Sequence, residues 1–138
     1  MSDAKKQVMH QWFEEVWNKG RAEAIVEMAA ADMIVHGLGE EMRGPEGFKP
    51  FHTSFRDAFP DIVVTIEDVI CEGSICAARW TATGTHRGSG LGFAATDKRM
   101  SVSGMTWARI DANGQLSEGW NSFDRLGMLQ QLGVIPAS

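Results

Sequence analysis

Residues 61–124 constrain the fold more than any other part of the chain. They hold four consecutive strand-prone runs, "DIVVTIEDVICEG", "SICAARWTATGTHRG", "MSVSGMTWARIDANG" and "QLSEGWNSFD". Each is rich in β-branched and aromatic residues and ends at a turn signal, which predicts antiparallel strands. Gly73-Ser74 joins the first pair as a two-residue hairpin, and "DANGQ" joins the last pair. Between the middle two lies "GSGLGFAATDK", a glycine-rich loop over residues 88–98, too long for a tight turn and of the kind that serves as a lid or binding edge.

The first sixty residues read differently. Val8, Met9, Trp12, Phe13, Val16 and Trp17 recur at helical spacing opposite Gln11, Glu14, Glu15 and Asn18, an amphipathic helix that Gly20 ends. "RAEAIVEMAAA" predicts a second short helix and "DMIVHG" a short strand. Phe48, Phe51, His52, Phe55 and Phe59 define a third helix stopped by Pro60, with Pro50 predicting a start near Lys49 or a kink. "RLGMLQQLG" closes the chain as a small helix. Helices segregated from an antiparallel sheet make an α+β fold, and 138 residues without a repeat or linker make one domain, 1–138.

Composition excludes several functions. A net charge of -5 with no basic block argues against nucleic acid. No apolar run reaches membrane-spanning length, and the N-terminus lacks a signal peptide's apolar stretch, so a cytoplasmic protein is expected. Cys71 and Cys76 face each other across the predicted hairpin, where a bridge is conceivable; a reducing compartment favours two free thiols. No tyrosine is present, which removes mechanisms that need a phenol donor.

"AFPD" at 58–61, "RWTATGTHRG" at 79–88 and "EGWNSFDRLGMLQQLG" at 118–133, in this order and spacing, resemble the SnoaL-like polyketide cyclase family. That family belongs to the nuclear transport factor two-like, or ketosteroid-isomerase-like, superfamily. The resemblance runs over essentially the whole chain. It implies a cone-shaped α+β fold: a curved mixed or antiparallel sheet wrapped around the N-terminal helices, enclosing a pocket. It also implies a homo-oligomer, a small apolar or aromatic ligand, no metal and no organic cofactor. In the cyclases the aspartate matching Asp124 is the general acid/base of an intramolecular aldol ring closure.

The residues themselves leave Asp124 with two readings. Strand alternation puts it on one face with Trp120 and Ser122; if Trp120 faces inward, the acid enters an aromatic pocket and is suited to take a proton from an activated methylene and return it to a carbonyl. Equally, aspartate is a favoured N-cap for "RLGMLQQLG". The residues alone favour the cap, and the family position favours the acid/base. His36 is the second candidate for proton transfer, at the end of the first strand. Trp12, Phe51, His52, Phe55, Trp80, His86, Trp107 and Trp120 are the expected pocket lining, since five tryptophans and seven phenylalanines exceed what a small core needs. Plain core packing, for His52 above all, is the competing reading. The functions compatible with this pattern are a cyclase or isomerase of small carbonyl compounds, a dehydratase or hydrolase using a His–Asp pair, and a ligand-binding module without chemistry.

Overall fold

A computed structural model describes residues 2–136. Helix α1 (Ser2–Trp12) continues into a π-helical turn, Phe13–Asn18, and α2 (Ala22–Met28) follows. Then come β1 (Ala29–His36), β2 (Met42–Arg43) and α3 (Gly44–Ala58). Strands β3 (Val63–Glu72), β4 (Ile75–Thr85), β5 (Arg99–Ile110) and β6 (Leu116–Phe123) lead to α4 (Arg125–Gln131). The strands form one curved, open sheet in the order β2-β1-β6-β5-β4-β3. It is mixed, because β1 runs parallel to β6 while every other pair is antiparallel. Both expected hairpins are present.

Two boundaries differ from those read in the sequence. The second helix stops at Met28, and Ala29 to Ala31 open β1. Ala29 pairs with Leu116 and is buried, so the tertiary ladder overrides alanine's helical preference. Helix α3 starts at Gly44 and runs through Pro50. Pro50 lies on the exposed side of the helix, where the carbonyl it leaves unbonded faces no buried surroundings.

Alternation along β5 decides which face is inside. Met100, Val102, Gly104, Ala108 and Ile110 are buried beneath the helices, while the odd positions are exposed. Val102 therefore belongs to the core and not to an exposed interface, whereas Met105 points outward. The edge strand β3 is closed off by Asn18, whose amide accepts from Val64 N at 2.6 Å and donates to Val64 O at 3.0 Å. A free strand edge is thereby paired by a side chain. On the outer face Arg79 meets Asp68 at 2.6 Å, as its cross-strand position predicts.

Two of the recognised motifs prove to be halves of one clamp. Asp61 of "FPD" accepts from Thr85 N and Thr85 Oγ1 of "GTH", both at 2.8 Å. The Thr85 N–H is the main reason the Asp61 carboxyl is held below its ordinary pKa. The 88–98 loop is fastened at its first residues and contributes none to the cavity lining. Gly88 and Gly90 lie against the carbonyls of Asp57 and Ser54 so closely that a Cβ would overlap them. Arg87 N and Gly88 N donate to Ala58 O, fastening the loop to the end of α3.

In place of the expected free thiols, Cys71 and Cys76 form a disulfide. The register explains it: Glu72 and Ile75 close the turn, so the two cysteines stand directly opposite with Cα atoms 4.0 Å apart.

Candidate active site

Between the concave face of the sheet and the helices lies a cavity of about 100 Å³. Trp12, Phe51, Phe55 and Trp80 line it as expected, joined by Trp17, Phe48 and Phe123. Met9, Met33, Met100 and Met128 supply further, conformationally adaptable wall. Thr106 and Asn121 bring polar side chains to the cavity, which Glu118 borders from an outward position of its strand. They come from the central strands β5 and β6, the positions most firmly held by the ladder.

Trp107 and Trp120, both expected inside, are paired opposite each other on the outer face, and Trp107 is 52% exposed. The inward positions of β6 are Gly119, Asn121 and Phe123. Consequently Asp124 does not enter the cavity. It is exposed, and its Oδ1 accepts from Gly127 N at 2.9 Å as the N-cap of α4. The sequence misled here because both faces of β6 carry an aromatic residue, Trp120 on one and Phe123 on the other. The signal that resolves it lies in β5, whose buried alternation fixes the partner strand's faces through Thr106 opposite Asn121.

Two of the expected pocket histidines are buried elsewhere. His52 packs on Trp17 and bonds Val16 O through Nε2 at 2.6 Å. That carbonyl sits near the end of the π-helical turn, so His52 serves the backbone and not the cavity. Burial pushes its pKa below the ordinary imidazole value, against the opposing effect of the Val16 carbonyl. His86 lies beneath the glycine-rich loop, its Nδ1 within 3.1 Å of Thr96 Oγ1 and accepting from Thr96 N at 3.3 Å. It packs against Phe59, and it too lies outside the lining.

His36 stands at the end of β1, stacked on Trp120 with ring centroids 5.3 Å apart. Its Nε2 lies 2.7 Å from Glu118 Oε2, and its Nδ1 is 3.7 Å from Glu41. Both His36 and Glu118 are about 30% exposed, and the pair lies with Trp120 on the outer face of the sheet, since Met33 and Val35 are the inward residues of β1. The carbonyl of His36 also accepts from Asn121 Nδ2 at 3.3 Å. Within the cavity, Trp80 Nε1 donates to Thr106 Oγ1 at 3.0 Å, and Thr106 donates to Asn121 Oδ1 at 2.8 Å. Neither Asn121 nor Thr106 is among the residues that the sequence singles out, and Glu118 stands out there only as part of the family motif.

Trp80 keeps its place only because Gly104, its partner on β5, has no side chain; a Cβ there would overlap the indole's six-membered ring. Gly104→Ala is expected to push the indole off Thr106, at about 1–3 kcal/mol of stability. Urea denaturation checks the loss, and an unchanged midpoint would show that the indole has room to shift.

An open curved sheet, helices across its concave face and an apolar hollow between them define the ketosteroid isomerase-like fold. A protein of that fold from Catenulispora acidiphila superposes with TM-score 0.78 at 17% identity, covering 91% of this chain and 92% of the other. More narrowly, the model of the SnoaL-like polyketide cyclases matches residues 7–132, and the chain belongs to that family. A candidate polyketide cyclase from Acidithiobacillus ferrooxidans is 30% identical with TM-score 0.80 over 95% of each chain. A candidate SnoaL-like polyketide cyclase from Jannaschia sp. CCS1 has TM-score 0.87 at 21% identity, over 98% of this chain and 95% of that one. No curated protein matches the sequence at a significant level. Among the described residues no helix is long and apolar enough to cross a membrane.

Proposed function

We propose that this protein rearranges a small, flat, largely apolar carbonyl compound by ring closure or isomerisation. The observation that carries this reading is the aromatic and methionine-rich cavity on the concave face of the sheet, with Thr106 and Asn121 as its inward polar side chains. Reactions of this class need a proton carrier next to apolar walls and no redox group. Among the described residues no ionisable side chain points into the cavity, so in the proposed sequence water carries the proton from the carbon beside the carbonyl and back as the new bond forms or the double bond moves. Asp124, solvated and bonded to the helix it caps, is assigned to stability.

The outer face supports the oligomer that the family resemblance implies. Ile70, Met105 and Trp107 stand exposed there beside Arg79, Asp68, Arg109 and Glu118, charges of both signs that two copies related by a twofold axis can match.

The test is product formation: the purified protein is incubated with a panel of aromatic β-keto esters and diketones. Protein-dependent ring closure or isomerisation of at least one member is expected. No turnover above background across the panel contradicts the proposal.

A further inference from the structure

We infer that Asn121 reads an acceptor oxygen of the bound molecule, so that the cavity selects a neutral carbonyl compound over a hydrocarbon of the same shape and over a carboxylate. The inference deepens the cavity reading above and rests on it.

The direction of the hydrogen bonds fixes what Asn121 can offer. An indole N–H only donates. Because Trp80 gives its proton to Thr106 Oγ1, the threonine's own proton passes to Asn121 Oδ1. That sets the amide oxygen toward Thr106 and the nitrogen toward His36 O, a carbonyl that only accepts. A flipped amide would put its oxygen against that carbonyl and take away the acceptor of the threonine's proton. The chain therefore terminates in a donor. An Asn side chain carries two N–H bonds; His36 O takes one, and no acceptor among the described residues takes the other.

Space beside that nitrogen is also present. Gly119 lies two residues earlier on the same inward face, opposite Ala108 on β5. A Cβ at Gly119 would stand 3.9 Å from Asn121 Nδ2 and meet no other side chain or backbone within 4 Å. A small notch thus borders the unpaired N–H, in a wall that is otherwise aromatic and aliphatic. A carbonyl oxygen entering it satisfies the amide and needs nothing more. An alcohol leaves its own proton without a partner, and a carboxylate brings a charge to a wall that holds no cation.

Asn121 is uncharged and cannot act as acid or base, so its part is to hold and polarise the oxygen. Any proton movement falls to other groups.

The test measures affinities of 2-acetylnaphthalene, 2-ethylnaphthalene and 2-naphthoate for the full chain by calorimetry or tryptophan quenching. The ketone is expected to bind about five- to tenfold more tightly than the hydrocarbon, as one neutral hydrogen bond supplies, and the carboxylate most weakly. In Asn121→Leu and, independently, in Gly119→Ala, the ketone advantage falls to within about twofold while hydrocarbon affinity stays within about threefold. The glycine variant introduces one methyl in open space, so it reports on the notch even if the leucine variant fails to fold. Equal binding of ketone and hydrocarbon to the wild type, or tightest binding of 2-naphthoate, overturns the inference and leaves the cavity reading standing. No binding of ketone or hydrocarbon overturns both.

Discussion

His52→Ala is expected to destabilise the fold by about 3 kcal/mol, lowering the melting temperature by about 10 °C. Two effects add. The imidazole is 3% exposed and packs on Trp17 with ring centroids 5.0 Å apart, so truncation opens a cavity. It also strips Val16 O of its donor, and a buried acceptor left alone costs about 1–3 kcal/mol. The same residue makes stability depend on pH. Its folded-state pKa is depressed, mainly by burial, while in the unfolded chain it returns to the ordinary value of 6.5. The unfolded state then binds the proton first as pH falls. The contribution is complete above pH 6.5 and is lost progressively below it, toward the lower folded-state pKa. Melting curves at pH 7.5 and pH 5 check both points. His52→Gln, which keeps a donor but does not titrate, should show a shallower acid-side decline than wild type.

His36→Asn is expected to leave kcat within about threefold of wild type, because the ring stacks on Trp120 across the sheet from the cavity. KM should move little, because the backbone carbonyl that holds Asn121 remains and the cavity walls are untouched. Glu118→Gln keeps the size of the partner and removes its charge on the outer face, so it too should leave kcat near the wild-type value. Steady-state rates on any turned-over β-keto ester provide the measurement. A fall of about 100-fold in either variant with the fold intact would place the proton carrier at the pair and contradict the assignment of the chemistry to the cavity.

Much of the architecture was legible because its signals are local. Hairpin turns at Gly73-Ser74 and Asn113-Gly114, the alternation of β5 and the phenylalanine spacing of α3 each depend on a few neighbouring residues. The cavity wall contributed by the helices was legible for the same reason, through Trp12, Phe51 and Phe55. The polar part of the site was not, because it depends on register between strands. The ladder passes from Arg109 opposite Glu118 to Ile110 opposite Leu116, skipping Ser117 in a bulge. Counting along β6 from its own residues cannot show that bulge, and a shift of one position exchanges Trp120 for Asn121. The family motif compounded the error. Its most visible acid, Asp124, is placed one residue beyond the strand, where it starts α4.

The most direct measurement is therefore Asp124→Ala, assayed for stability and for turnover per folded molecule. Loss of the cap is expected to cost about 1 kcal/mol, seen as a melting temperature lower by a few degrees, while kcat stays within about threefold of wild type. A fall of about 100-fold in kcat with the fold intact would place the proton carrier at Asp124 and contradict the assignment of the chemistry to the cavity.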